Sequence, residues 1–413
     1  MKTKLAITAS LLLVCLLGGS CAPTRNFDGH VKLIVKPYLF SIAKRECEVM
    51  LSELNQWISG RDEKIDDEVY VVTQYFSLVK RVKMLNSEIE AIKSANGQDN
   101  LSALEDELDM LQAREKDLHG SVERIIKRQI KETLAQQGIF NPIDKYIRLE
   151  VGFPPVNFKL EEPPYLLVIS PRDRIESIRE IILLPSLSLE EIEDIEARVD
   201  RLGISSLVVK LGGLGATCPT FVANDASLRF VIDTATEEWL HQYLVFKPLG
   251  FLYLLDLTGV SRNYEIATMN ETVASMVSKE IGSIIYEKYY YRYENDDNHN
   301  QGAESGFDFN LEMREIRRAV DKFLAQGEIE QAEEFMEQKR QYLASMGYRI
   351  RKLNQAYFAF HGVYADSPTS ISPIGLQLQE LRSQSVSLAD FLSTVAGMTS
   401  AQDLRNTLGT NSL

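Results

Sequence analysis

The sequence predicts a predominantly helical α+β protein built from several units. Its 413 residues are 45% hydrophobic and 25% charged, which is the composition of a folded globular protein. At about 150 residues per domain, two or three units are expected. Helical periodicity dominates the first and last parts of the chain, and short β-rich runs bounded by proline and glycine lie between them. A small sheet packed against helices is therefore expected.

The charge balance and the cysteine count exclude three classes of protein. Asp and Glu total 59 and Lys and Arg total 45, which gives a net charge of −14. A surface with this excess repels phosphate backbones, so we expect no nucleic-acid binding. Four cysteines in the whole chain argue against a disulfide-stapled scaffold and against a Cys-rich zinc module.

Residues 1–20 are typical of a signal peptide. Lys2 and Lys4 precede an apolar run over residues 5–17, which is too short to span a bilayer comfortably. Gly18 and Ser20 supply the small residues that a signal peptidase needs. The sequence therefore predicts export.

Cys21 directly follows these small residues and resembles the acylated cysteine of a bacterial lipoprotein, although Gly18 stands where such sequences prefer an aliphatic residue. We expect the protein in the cell envelope, at the outer face of a membrane if Cys21 is acylated and secreted if it is not. Residues 21–41 are predicted to form a tether. The sequence leaves open whether Cys47 and Cys218 pair.

Residues 42–140 predict an antiparallel coiled-coil hairpin. Apolar residues recur at steps of three and four in the second arm, at Leu101, Leu104, Leu108, Leu111, Leu118, Val122 and Ile125. The first arm carries similar steps at Tyr75, Val79, Val82, Ile89 and Ile92. A short polar turn over residues 94–97 folds the arms together. The charge runs are interpreted as the solvated face, and a docking arm for a protein partner is the alternative.

Residues 141–223 predict a small mixed β-sheet. Its strands are expected over residues 156–160, 165–170, 180–184 and 206–211. One helix interrupts them, with Ser188 and Glu191 as a capping box and Gly203 as the C-terminal stop. The glycine-rich residues 212–215 lack the Lys-Ser/Thr ending of a P-loop and predict a bend into an edge strand.

Residues 224–294 carry the candidate chemistry. Asn224 or Asp225 is expected to cap a helix on which Glu237 and His241 stand four residues apart, so both face one side and can ligate one metal ion. Glu238 is offset by about a hundred degrees around this helix, which lets it approach an activated water without ligating.

Residues 307–413 predict a C-terminal helical unit after a polar loop over residues 294–306, in which His299 is expected to be exposed. Helices are expected over residues 311–326, 329–346 and 349–363, with Gly327 and Gly347 as stops.

Two motifs resemble those of a known family. EEWLH at residues 237–241 resembles the HExxH helix of gluzincin-type zinc metallopeptidases with Glu in place of the first His, and NETVA at residues 270–274 resembles their downstream NExxA helix. The likeness extends to bacterial aminopeptidase-like members of the family and covers about residues 217–391. Ala274, Ser278 and Gly282 follow the second motif and would let two helices approach closely.

The resemblance implies a gluzincin-like helical domain that hydrolyses a peptide or protein substrate with zinc. His241 and Glu271 would be ligands, Glu237 would take the first ligand position, and Glu238 would be the general base. A Tyr or His from a C-terminal helix would stabilise the oxyanion, and the candidates are Tyr364, Tyr357 and His361. The strand over residues 216–222 would present its edge to an extended peptide.

Glu237 differs from the residue that the family has at this position, which is a histidine. Imidazole is the usual neutral ligand of zinc, and a carboxylate in its place reduces the acidity of the zinc-bound water. Zinc, a harder divalent ion such as manganese, and no metal all remain open. Two functions therefore follow. The first is an exported, lipid-anchored metallopeptidase-like enzyme. The alternative is a non-catalytic relative of the same fold that acts as a binding or scaffold lipoprotein.

Overall fold

The structure is a computed structural model that describes residues 27–41, 67–94, 101–142, 152–293 and 307–411, except residues 216, 218, 366 and 368. The predicted signal peptide and the loop over residues 294–306 with His299 lie outside these residues, as do Cys21, Cys47 and Cys218. Within the described ranges, no helix is both long and apolar enough to cross a bilayer.

Helices account for most of the described chain. The α-helices are α1 (Phe27–Val35), α2 (Glu68–Ser94), α3 (Leu101–Gln136), α4 (Leu189–Asp200), α5 (Leu228–Leu244), α6 (Pro248–Leu257), α7 (Tyr264–Ile285), α8 (Phe309–Ala325), α9 (Ile329–Ser345), α10 (Gln355–His361), α11 (Ile374–Gln384), α12 (Leu388–Ala396) and α13 (Ala401–Asn411). The strands are β1 (Phe158–Leu160), β2 (Tyr165–Ser170), β3 (Arg179–Leu183), β4 (Ser205–Lys210), β5 (Gly213–Leu214) and β6 (Thr220–Val222). The predicted class, a predominantly helical α+β protein, is confirmed.

The predicted tether is folded over its described part. The buried side chains of Val31, Ile34 and Val35 in α1 join a core formed with α4 and the first sheet, and Leu39 forms an antiparallel bridge with Leu183. The prediction was wrong here because a nine-residue helix shows too few turns for its apolar spacing to stand out.

The predicted helical hairpin is confirmed over α2 and α3, whereas residues 42–66 of its predicted range lie outside the described residues. Ion pairs between the arms show that they run antiparallel, with Lys93 and Glu105 2.9 Å apart at one end and Arg128 pairing with Glu68 at the opposite end. Burial is uneven along α3. Val122 is fully buried, whereas the apolar positions of the predicted seam before it are only partly buried. The base of the hairpin therefore belongs to the main core of the protein and its far end does not.

The β-rich region contains two three-stranded sheets rather than the single sheet predicted. The first has the antiparallel order β3-β2-β4, and the second has the order β1-β6-β5 with β1 parallel and β5 antiparallel to β6. The predicted capping box of α4 is confirmed, since Ser188 N donates to Glu191 Oε2 at 2.9 Å and Glu191 N donates to Ser188 Oγ at 3.2 Å.

The strand predicted over residues 216–222 does not offer an edge to a peptide. β6 is the central strand of its sheet, because Gly213 folds back to pair with Val222 while Phe158 pairs with Thr220 on the other side. The edges of this sheet are β1 and β5. The pattern of the sequence could not show this, since β5 has only two residues.

Helix α7 lies at the centre of the main core, packed against α3, α5, α6 and α11. Its contact with α5 depends on small residues, as predicted: Ala274 and Ser278 are fully buried, and a Cβ at Gly282 would collide with the carboxylate of Asp233. The predicted C-terminal unit is split, because α8 and α9 share a separate core around Met313 and Met336, whereas α11, α12 and α13 pack in the main core.

The first two predicted C-terminal helices are confirmed within two residues at each end, and Gly327 and Gly347 follow them with φ of 76° and 93°. The third was wrong at its start. α10 begins only after its N-cap Asn354, whose Oδ1 accepts from Tyr357 N at 2.9 Å. The residues before it are tied to α4 instead, as Arg351 donates to Glu196 Oε1 at 2.6 Å.

Candidate metal centre

Two adjacent helices carry the candidate ligands. α5 begins after its N-cap Ser227, whose Oγ accepts from Phe230 N at 3.3 Å. The predicted caps Asn224 and Asp225 therefore lie before the true N-cap. α7 begins after Asn263, which places Glu271 in its third turn rather than at its start. Because α5 and α7 pack side by side, their facing side chains meet in the main core.

The predicted ligands converge. One ligand atom from each of Glu237, His241 and Glu271 lies within 4.8 Å of the other two, and His241 Nε2 is 3.6 Å from Glu271 Oε2. Ligand atoms bound about 2 Å from an ion lie about 3–4 Å from one another, so small side-chain rotations suffice. These three residues could hold a metal ion.

A hydrogen bond orients the imidazole. His241 Nδ1 is 2.8 Å from Asn270 Oδ1, and an amide oxygen can only accept, so Nδ1 carries the proton. The lone pair of neutral His241 is then on Nε2, the nitrogen that faces Glu271. This is the arrangement by which metal-ligating histidines are usually fixed. From the sequence alone, Asn270 has no role beyond its place in the motif.

A second residue that sequence reasoning missed is Tyr253 on α6. Its hydroxyl donates to Glu271 Oε1, which fixes one oxygen of the carboxylate while Oε2 faces His241. No motif marks Tyr253, because its position depends on how α6 packs against α7.

The electrostatics of the centre favour a cation. Burial, opposed by His241 and reinforced by Glu271 and Glu238, raises the pKa of Glu237 to about 8. Burial alone would lower the pKa of His241, but the neighbouring carboxylates, Glu271 first, and the bond to Asn270 raise it overall. Among the residues that the structure describes, Glu237 Oε1 is buried without a hydrogen-bond partner. An unpaired buried carboxylate oxygen is costly, and a bound cation would remove that cost.

The glycine-rich segment makes room for Glu238. A Cβ at Gly213 or Gly215 would collide with the Glu238 carboxylate, which also accepts a hydrogen bond from the backbone N–H of Gly215. Burial, opposed by His241 and reinforced by Glu271, raises the pKa of Glu238 to about 7. The sequence predicts only a bend at these glycines, because their contact with Glu238 depends on tertiary packing.

Gln242, the residue after His241, holds this glycine segment. Its Nε2 donates to the carbonyl oxygen of Gly215 at 3.1 Å, to that of Thr217 at 3.3 Å and to Thr220 Oγ1 at 3.1 Å. α5 therefore positions both Glu238 and the backbone that surrounds it.

Of the three predicted oxyanion donors, Tyr364 lies at the centre. Its hydroxyl shares a hydrogen bond with Glu271, and its pKa is raised by burial and by the charges of Glu271 and Glu237. The segment that carries it is anchored on α7, because Ala365 N donates to Thr272 Oγ1 at 3.0 Å and the hydroxyl of Tyr264 donates to Gly362 O at 2.9 Å.

Tyr357 and His361 are directed elsewhere. Their rings pack against each other at 4.3 Å, with Phe358 beside Tyr357 and Phe360 beside His361. Burial raises the pKa of Tyr357 to about 12 and lowers that of His361 to about 4. Among the described residues, neither forms a hydrogen bond or ion pair with the ligand triad. Both lie within α10, whereas Tyr364 follows its end, a difference that spacing in the sequence does not reveal.

A cavity of about 190 Å³ adjoins the centre, and Tyr253, Glu271 and Tyr364 form part of its wall. The centre is therefore next to a space that a substrate group can occupy.

Comparison with known proteins assigns no family. No family model matches the sequence, and neither a curated protein nor a solved structure matches it. The resemblance to gluzincins rests on the two motifs, and the candidate centre rests on the geometry of its own residues.

Proposed function

We propose that this protein is a metal-dependent hydrolase of peptide bonds of the gluzincin type. The observation that carries the proposal is the convergence of Glu237, His241 and Glu271, with Glu238 adjacent on the same helix and Tyr364 hydrogen-bonded to Glu271. Metal-assisted hydrolysis requires three protein ligands for the ion and, beside them, a carboxyl group that does not ligate. The three candidate ligands and Glu238 match this arrangement.

The donor set fits a divalent ion. One imidazole nitrogen and two carboxylate oxygens suit zinc, and the two oxygens also suit a harder ion such as manganese. Two features support a cation site: Glu237 Oε1 has no hydrogen-bond partner within the described part of the chain, and the His241 ring is fixed by Asn270. When bound, such an ion supplies Lewis-acid polarisation and lowers the pKa of a water.

The residues of the chain supply the remaining steps. Glu238 accepts a proton from the attacking water and passes it to the leaving amine, a task that suits a carboxyl with a pKa near neutrality. The hydroxyl of Tyr364 donates to the developing oxyanion. Asn270 keeps the proton of His241 on Nδ1, so Nε2 stays available.

The location proposed for this enzyme is the cell envelope after export, with a lipid on Cys21. The alternative function is a non-catalytic relative that binds a partner through the α2–α3 hairpin. Glu237 is the observation that favours it, since a second carboxylate neutralises the ion and reduces its acidity.

Replacing the proposed base separates these functions. We expect Glu238→Gln to lower the hydrolysis of a peptide library about 100-fold or more while its metal content stays that of the wild type. Peptide products would be followed by mass spectrometry, and metal by elemental mass spectrometry.

The matched control is Glu265→Gln, the same change on an exposed residue of α7, which should alter neither quantity. Equal hydrolysis by wild type and Glu238→Gln would refute the assignment of the base. Stoichiometric metal without hydrolysis in the wild type would support the non-catalytic alternative.

A further inference from the structure

The cavity beside the candidate centre has a buried end and an exposed end. Ala267, Glu271 and Ala359 are each less than a tenth exposed and form its floor, so the metal-ligand side of the cavity is the deep side. Glu176 and Glu180 line its exposed end. A substrate side chain that extends from the candidate metal centre into this cavity would therefore place its far end near these two carboxylates.

The lining of the cavity combines apolar surface with an excess of negative charge. Tyr253, Phe360 and Val363 supply aromatic and aliphatic surface. Four carboxylates line the cavity against one cation: the acids are Glu176, Glu180, Asp256 and Glu271, and the cation is Arg262. This combination suits a ligand with an apolar stem and a positive tip.

Most of these carboxylates already have partners. Glu271 belongs to the ligand triad, Asp256 accepts from Asn263 N at 2.6 Å and lies 4.0 Å from Arg262, and Glu176 accepts from Arg174 Nε at 2.6 Å. Glu180 is different, because within the described ranges it forms no ion pair and accepts only from Ser177 Oγ, at 2.7 Å. Ser177 orients this carboxylate, and Arg262 offsets part of its charge without forming an ion pair with it.

We infer that this cavity binds the side chain of an arginine or lysine next to the scissile bond, with Glu180 pairing with its cationic end. The inference rests on the proposed function and names its substrate class. A terminal α-ammonium alone needs a volume like that of a water molecule, about 30 Å³, whereas the cavity offers about 190 Å³ and an apolar wall. The extra space matches the stem of a long side chain.

Hydroxamates of single amino acids test this without requiring turnover, since the hydroxamate chelates the ion and the side chain probes the cavity. The zinc-loaded full chain would be titrated calorimetrically with arginine hydroxamate and with citrulline hydroxamate, the neutral isostere. Both carry the same α-ammonium, so the ratio of their affinities isolates the side-chain charge. We expect arginine hydroxamate to bind about tenfold or more tightly.

Glu180→Gln should reduce this ratio to about twofold or less, whereas Glu265→Gln, which lies outside the cavity, should keep it. Glu180 is an exposed residue of the edge strand β3, so the variant should fold, and its thermal unfolding would verify this.

Acetohydroxamate, which has no side chain, reports the metal alone. If it binds while arginine and citrulline hydroxamates bind equally, the inference is overturned and the proposed function survives. Tight binding of both amino-acid hydroxamates that is lost on N-acetylation would assign the cavity to the α-ammonium, which also overturns it. Failure of acetohydroxamate to bind would overturn the proposed function and this inference together.

Discussion

Helix α5 presents two carboxylates to α7, one turn apart, and the two have different partners. Asp233 Oδ2 accepts from Arg229 Nε at 2.9 Å, and Arg229 also donates to Lys279 O and Ser283 Oγ on α7. Glu237 faces Glu271 and His241 instead. Within the described residues, Asp233 Oδ1 and Glu237 Oε1 are both buried without a hydrogen-bond partner, so the two acids differ in the groups that face them and not in this oxygen. The chain supplies a cation at position 233, whereas we propose that the cation beside Glu237 is a bound metal ion.

The pKa values of Asp233 and Glu237 also differ. Burial raises the pKa of Asp233 to about 6 against the opposing effect of Arg229, and it raises that of Glu237 to about 8, where neighbouring carboxylates add to the effect. Asp233 is thus a structural acid at a close helix contact. A cation bound beside Glu237 would stabilise its ionised form and lower its pKa.

Replacement of Asn270 should have the largest effect, which is a loss of metal affinity at Glu237, His241 and Glu271. Asn270→Ala removes the acceptor that fixes the His241 ring, and loss of such a partner costs about 10- to 100-fold in metal affinity. Zinc titration of the variant against a chromophoric chelator would measure it. Thr268→Ala, a buried residue of the same helix, is the control. Unchanged zinc affinity in Asn270→Ala would mean that His241 does not ligate through Nε2.

Replacement of Asp233 should have a smaller effect, on the pH dependence of stability and not on metal binding. Its pKa of about 6 in the folded protein lies above the ordinary value of 3.8 for an aspartate. The folded state therefore binds more protons between these values, and stability falls as the pH rises through that window. Asn cannot ionise. The free energy of unfolding of Asp233→Asn should therefore rise relative to wild type by about 2 kcal/mol between pH 4 and pH 7.

Urea unfolding of both proteins across this pH range would test the Asp233 prediction, and the zinc affinity of Asp233→Asn should match the wild type. A difference in unfolding free energy that stays flat with pH would show that Arg229 fully offsets the burial of Asp233.

The smallest effect should come from Glu237→His. A neutral imidazole replaces an unpaired buried carboxylate with the donor that zinc prefers, so zinc affinity should rise about tenfold. The preference for manganese over zinc should fall in the same variant, because an oxygen donor is lost. Competition between the two ions would report both changes, and lower zinc affinity would exclude position 237 from the ligand set.

The sequence predicted the parts of the centre that helix geometry determines. Glu237 and His241 share a face because they are four residues apart, and the NETVA motif pointed to Glu271. The contacts of Asn270, Tyr253 and the glycine segment depend on how separate elements pack, which local spacing does not encode.

The same limit explains the errors in the fold. The strand over residues 216–222 was predicted at an edge because the two-residue β5 that covers it has no detectable pattern. Tyr357 and Tyr364 could not be separated by spacing, since only the end of α10 after His361 turns the chain back towards α7.

Metal content tests the central claim most directly. The purified full chain, its Glu271→Gln variant and its Asp233→Asn variant would be dialysed against zinc and then against metal-free buffer, and analysed by elemental mass spectrometry. We predict about one zinc per chain in the wild type and in Asp233→Asn, and almost none in Glu271→Gln. A wild type without stoichiometric metal, or a Glu271→Gln variant that retains it, would contradict the account.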